Sequence, residues 1–250
     1  MNLITVRYAV DGGVATLTLH RPEARNALNR AMCDDIVAAT AAARDDAEVR
    51  LVLIRGSGPV FRAGADLKER KGMALDEVRA RRLAAYAAYG AVERLPMPAI
   101  AIVHGAAVGS GCDIAACCDF VIATPNATFA TPEALWGTVG ATQRMPRILG
   151  KPLAKDMMFT GRELGAEEAR AAGLVTRIVE AAALDGVIAE IAKTIVAAPQ
   201  AALRQAKSCI NQGVELNSRG ALALEFQAME ENLARDTWRA GMSRFGGDKR

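Results

Sequence analysis

The chain has 250 residues, 51% of them hydrophobic but only 4% aromatic, and a net charge of +3 at pH 7. Such a length buries a sizeable core, here built from Ala, Val, Leu and Ile, and so mild an excess of interspersed charge gives nucleic acid no electrostatic footprint. No apolar run approaches the roughly 20 residues of a spanning helix, and MNLITVRYAVDGG lacks the charged start and long apolar middle of a secretion signal, so a cytoplasmic location without a membrane partner is expected.

In chain order, ITVRYAV and VATLTLH flank Asp11-Gly12-Gly13, whose glycines supply the positive φ of a tight turn, and the three predict a β-hairpin. LNRAMCDDIVAATAAARDD (28–46) has helical spacing with acidic ends. LVLIRG (51–56) is a short buried strand running into the loop SGPVFRAGADLKER (57–70). EVRARRLAAYAAYGAVERL (77–95) is a helix stopped by Pro96-Met97-Pro98, with the basic VRARRL (78–83) as its solvated face. The strand AIAIVHG (99–105), a helix from Ser110 and the strand DFVIAT (119–124) follow. Further on, Met157, Met158 and Phe159 are assigned to the core, LVTRIV (174–179) is strand-like, and helical stretches fill 182–242.

Strands alternating with helices predict an α/β architecture with mainly parallel pairing and ligand loops at strand ends. VAAPQ (196–200) opens a tail of helices without strands, so the expected division is a core over 1–195 and a helical region over 196–250, either separate or an arm on another subunit. Five cysteines (Cys33, Cys112, Cys117, Cys118, Cys209) are an odd number without metal-ligand spacing and are read as reduced core thiols, with no metal site. His20 and His104 lack a nucleophile elbow or zinc spacing, and the glycines match neither a dinucleotide fingerprint nor a phosphate loop. Nucleotide hydrolysis and hydride transfer are disfavoured accordingly.

Two loops rich in small residues, FRAGADL (61–67) and HGAAVGSG (104–111), each follow a strand and permit close backbone approach to a ligand. The first N–H groups of a helix from Ser110 lack intrahelical acceptors, so one N–H from each loop would form an oxyanion hole. Asp113 falls in that helix's first turn, with Glu133 in FATPEALWG further on. Two readings stand side by side. Ser110-x-x-Asp113 and Thr131-Pro132-Glu133 both match helix-start patterns, and the same acids could form a reacting pair.

HRPEARNALN (20–29), FRAGADLKE (61–69), HGAAVGSGCDIAACCD (104–119), TPEALWG (131–137), TQRMPRILG (142–150) and FTGRELGAEEARAAGLVTRIV (159–179) together resemble the ordered signatures of the enoyl-CoA hydratase/isomerase (crotonase) superfamily over essentially the whole chain. The resemblance implies a crotonase-like spiral of repeated ββα turns with a C-terminal helical trimerisation region. It also implies a coenzyme A thioester as substrate, no added cofactor, and a homotrimer or dimer of trimers. It places Ala65 and Ser110 at the two oxyanion-hole N–H donors, and Asp113 and Glu133 at the two glutamates that serve hydratases as general base and acid. Ala24, Arg25, Ala63 and Gly64 match the region receiving the adenine and phosphate end of the coenzyme, and Asp66, Leu67, Gly109 and Trp136 are also assigned to substrate binding.

The leading reaction is hydration of a 2-enoyl-CoA to a 3-hydroxyacyl-CoA. Asp113 is one methylene shorter than the family's glutamate, and EALWGTVGATQR (133–144 by number) is shorter than the Gly/Pro-rich hydratase version. Double-bond isomerisation and thioester hydrolysis therefore stand as alternatives, as does a catalytically silent CoA- or RNA-binding module. Trp136 either walls the water site or packs in the core.

Overall fold

A computed structural model describes residues 2–235 together with 238 and 239. Gly12 and Gly13 take φ of 52° and 82°, and the turn they make joins strands β1 (Val6–Asp11) and β2 (Val14–Leu19), antiparallel with Asp11 opposite Val14. The chain continues through α1 (Arg30–Asp45), β3 (Leu51–Gly56), α2 (Leu67–Arg70), α3 (Leu75–Glu93), β4 (Ala99–Val103), β5 (Ala106–Val108), α4 (Ser110–Cys117), β6 (Phe120–Ala123) and β7 (Thr128–Ala130). After a 3-10 turn at Glu133–Trp136 come α5 (Arg144–Leu149), α6 (Lys151–Thr160), β8 (Leu164–Gly165), α7 (Ala166–Ala171), β9 (Arg177–Ile178), α8 (Leu184–Ala197), α9 (Gln200–Gly213) and α10 (Ser218–Ala234).

The larger sheet runs β1-β2-β3-β4-β6-β9, parallel everywhere except the opening hairpin, and the smaller runs β5-β7-β8. Each winding gives one strand to the large sheet, one short stretch to the small one, then a helix. In the early windings that second stretch shrinks to single bridged residues, Leu28 beside Ala65 and Arg62 beside Ala107, before it lengthens into β5 beside β7. This is the expected α/β spiral of ββα turns.

Central parallel strands are covered on both faces, which is why β4 is buried at every residue. The period-2 alternation divides the load: Val52 and Ile54 join the core under α1, α3 and α4, while Leu51 and Leu53 join Ile100, Ile102 and Ile122 under Leu184, Ile188 and Ala192 of α8. Cys33, Cys112 and Cys117 are buried as free thiols and Cys118 packs against the same core. Cys209 does not, because it lies on α9, where no residue is buried.

Three further expectations need correction. LVTRIV pairs as a strand only at Arg177–Ile178. Phe159 is 65% exposed although Met157 and Met158 are buried, because successive helical residues rotate by about 100° and the third leaves the inward face. VRARRL is not a purely solvated face: Arg81 is 4% exposed and its Nε donates to Glu69 Oε2 at 2.8 Å. Toward the C-terminus the last strand among the described residues ends at Ile178, α8 covers the sheet, and Pro199 precedes α9. Neither α9 nor α10 buries a residue, and part of the 196–250 region lies outside the described residues. No helix among the described residues is long and apolar enough to cross a membrane.

One side chain ties the first winding to the next. Asn26, fully buried at a left-handed φ of 53°, places Nδ2 within hydrogen-bond distance of the carbonyls of Ser57, Val60 and Phe61 (2.8, 3.1 and 3.2 Å), and its Oδ1 accepts the Arg21 N–H at 2.9 Å. Asn tolerates that φ better than most residues, and its amide satisfies carbonyls that water does not reach. Asn26→Ala is expected to cost about 2 kcal/mol or more in urea unfolding. A loss below about 0.5 kcal/mol would mean that those carbonyls are satisfied without it.

Candidate active site

The strand-end loops meet at a cavity of about 150 Å³. On the first loop, Leu28 N–H donates to Gly64 O and Asp66 N–H donates to Leu28 O, both at 2.8 Å. A bridged strand bonds through alternate amides, so the intervening Ala65 N–H is left over, with no acceptor among the described residues. On the second loop, Gly109 N–H donates to Ala130 O at 2.8 Å, and the chain then turns at Gly109, φ 53° and ψ −111°, into α4. Ser110 opens that helix, and its N–H, one of the orphan donors of the first turn, likewise has no acceptor among the described residues. Ala65 and Ser110 both line the cavity. The loops also touch: a Cβ built on Gly64, whose φ is 94°, would lie 3.3 Å from Val108 O.

Asp113 and Glu133 enter the same cavity. Glu133 fits because two glycines make room for it. A Cβ on Gly109 would sit 2.7 Å from Glu133 Oε1, and one on Gly140 would sit 3.2 Å from its Cγ. Glu133 Oε2 is buried without a partner among the described residues. Burial raises the pKa of Glu133, and the charge of Asp113 raises it further. Burial also raises Asp113, but there the guanidiniums of Arg144 and Arg62 pull back toward the ionised form. Arg144 Nη1 stands 3.6 Å from Asp113 Oδ1, while its Nε and Nη2 donate to Glu93 at 3.1 and 2.8 Å and its guanidinium lies over the Tyr89 ring.

The helix-capping reading of these acids fails. Gly109, not Ser110, is the N-cap of α4; Pro132 precedes the 3-10 turn; neither start has a side-chain cap bond. Ser110 Oγ and Thr131 Oγ1 are buried without partners among the described residues. The positive φ at Gly109 moves Ser110 one place into the helix, where its hydroxyl no longer reaches the end amides.

Ala63, Gly64, Leu67, Gly109 and Trp136 line the cavity, whereas Ala24, Arg25 and Asp66 do not. Arg25, in a left-handed turn, accepts the Ala63 N–H at 3.0 Å and so abuts the lining. Asp66 accepts from the Lys68 and Glu69 amides at the start of α2 and pairs with Arg21 at 3.0 Å. Trp136 is 70% exposed, which excludes the core alternative. Sequence reasoning passed over Arg144, Tyr89, Arg70, Arg82 and Arg62. Arg62 is fully buried with all three guanidinium nitrogens unpartnered among the described residues. A base between Phe61 and Ala63 in a buried stretch was the available signal.

Two free amides and two carboxyls of shifted acidity in one cavity can stabilise an oxyanion and move protons beside it. The raised pKa of Glu133 also has a consequence for stability. Between the unfolded and folded values the native state holds a proton the unfolded chain has lost, so stability falls as pH climbs through that interval. Relative to the parent chain, Glu133→Gln should gain stability at about pH 8 and gain nothing at about pH 3, where the carboxyl is protonated in both states. Thermal melts at the two pH values check this, and a pH-independent difference would contradict it.

A sequence model of the family described as enoyl-CoA hydratase/isomerase matches residues 9–250. The short-chain-enoyl-CoA hydratase of Clostridium acetobutylicum is 36% identical over 249 residues, covering 98% of this chain and 95% of that protein. The crotonyl-CoA hydratase of Syntrophomonas wolfei is 36% identical over 236 residues, covering 93% and 91%. The crystal structure of an enoyl-CoA hydratase from Bacillus anthracis superposes with a TM-score of 0.93 at 32% identity over 97% of this chain and 96% of that one. With its spiral of ββα turns and its two loops meeting at one cavity, the chain belongs to the enoyl-CoA hydratase/isomerase family.

Proposed function

We propose that the chain hydrates a 2-enoyl-CoA to the 3-hydroxyacyl-CoA. The observation that carries this reading is the pairing of two acceptor-free amides, at Ala65 and Ser110, with two carboxyls of unlike surroundings in the same cavity. The names of the bacterial relatives, short-chain-enoyl-CoA hydratase and crotonyl-CoA hydratase, support it. The thioester oxygen lies between the two N–H groups, which makes the β-carbon electrophilic and stabilises the enolate formed when it is attacked. Asp113, with Arg144 and Arg62 favouring its charge, is the base that takes a proton from water as the oxygen bonds to the β-carbon. Glu133, kept toward its neutral form by burial and by Asp113, is the acid that protonates the α-carbon.

Ala24, Arg25, Ala63, Gly64, Asp66, Leu67, Gly109 and Trp136 contact the coenzyme and acyl thioester in this proposal. The chemistry is proton transfer and oxyanion stabilisation, for which no added cofactor is proposed. The apolar side chains exposed on α9 and α10, among them Ile210, Leu222 and Phe226, would be covered in a trimer or dimer of trimers, with residues 196–250 as the assembling region. The assembly is placed in the cytoplasm.

Asp113→Asn and Glu133→Gln should each lower turnover of crotonyl-CoA by about 100-fold or more, followed as loss of the conjugated thioester absorbance. Near-normal turnover in either variant removes that residue from the mechanism. Ser110→Ala should keep most activity and Ser110→Pro abolish it, since only the second removes the amide donor, with circular dichroism reporting on the fold. Products identified by mass separate hydration from isomerisation and hydrolysis.

A further inference from the structure

The cavity has a second wall that the hydration chemistry does not use. Arg70 at the end of α2 and Arg81, Arg82 and Tyr86 on α3 line it. Arg81 is neutralised by Glu69 and also donates to Leu28 O. Among the described residues, Arg82 hydrogen-bonds only to uncharged oxygens, Thr138 Oγ1 at 3.3 Å and Val139 O. The guanidinium of Arg70 has no ion pair or hydrogen bond among the described residues, although the residue is only partly exposed. Of the two acids in the lining, Asp113 already has Arg144, which leaves Glu133, and burial holds Glu133 toward neutrality. Fixed positive charge is therefore in excess here. The mutual repulsion is felt at Arg70, whose pKa is lowered by burial and then by the charges of Arg81 and Arg82.

Resting on the hydratase reading of the same site, we propose that the acyl group of the substrate carries a distal carboxylate, bound by Arg70 and Arg82, so that the preferred substrate is the enoyl thioester of a dicarboxylic acid. A neutral crotonyl group would leave both guanidiniums in a partly desolvated cavity without a counterion, whereas a carboxylate forms charge-assisted bonds with them. The span is set by Arg82, which lines the same cavity as Glu133 and is bonded to Thr138 and Val139, next to the Gly140 that abuts the Glu133 side chain. The carboxylate accordingly sits a few bonds beyond the double bond, as in glutaconyl-CoA. The coenzyme's own phosphates are the other anionic source that could occupy these arginines, and the test separates the two.

Affinities for glutaryl-CoA and butyryl-CoA, saturated thioesters that cannot be hydrated, are measured by titration calorimetry for the parent chain, Arg70→Gln and Arg82→Gln, with circular dichroism checking each fold. The parent should bind glutaryl-CoA about tenfold or more tighter than butyryl-CoA, and each variant should lose most of that preference. Equal or weaker binding of glutaryl-CoA by the parent overturns the proposal. Equal weakening of both thioesters in the variants also overturns it and assigns the arginines to the coenzyme phosphates. Turnover of crotonyl-CoA and glutaconyl-CoA by the parent tests the hydratase reading separately: a chain that prefers glutaryl-CoA yet hydrates neither sustains the carboxylate site and sinks the hydratase reading.

Discussion

A parallel strand donates through every second amide, and the site depends on where that alternation leaves an amide over. Leu28 uses the carbonyl of Gly64 and the amide of Asp66, so Ala65 between them has no strand partner. Gly109 spends its own amide on Ala130 and then turns to a positive φ, so the next amide, Ser110, begins a helix and has no acceptor either. Had either loop continued as regular strand or helix, its N–H would be consumed by the backbone. The shrinking of the second strand in the early windings is thus what frees a donor at Ala65.

The two carboxyls of the cavity differ in their surroundings more than in their chemistry. Asp113 projects from a helix toward Arg144, which is held by two bonds to Glu93 and by the face of Tyr89. Glu133 stands in the space left by two glycines, with one oxygen unpartnered. Burial raises the pKa of both, but the guanidiniums of Arg144 and Arg62 oppose it at Asp113, whereas at Glu133 the charge of Asp113 adds to it.

Among the described residues, buried polar atoms without partners include Glu133 Oε2 and Ser110 Oγ of the cavity lining, and the Arg62 guanidinium and Thr131 Oγ1, each one residue before a stretch that lines it. Each costs stability, on the order of 1 to 3 kcal/mol for a neutral group and more for a charge. The parallel sheet, covered on both faces by closely packed small-residue helices, and the Asn26 tie between windings offset that cost elsewhere. Stability and reactivity are drawn from different parts of the same spiral.

Much of this was legible in the residues. The hairpin at Gly12-Gly13, the apolar runs of β3 and β4, the helix from Ser110 and the two small-residue loops are local signals, each carried by a few consecutive side chains, and the ordered motif blocks pointed to the family. The meeting of Ala65, Ser110, Asp113 and Glu133 at one cavity followed from that resemblance rather than from spacing. The reversal of the capping reading at Ser110, the outward turn of Phe159, the burial of Arg62 and Arg81, and the pairing of Arg144 with Glu93 and Asp113 were settled only by the tertiary structure. The same holds for the surplus positive charge beside the acids. A sequence states how many charges a chain carries, but whether a given charge meets a counterion, a carbonyl or a cavity depends on residues tens of positions away, and only the packed windings bring those together.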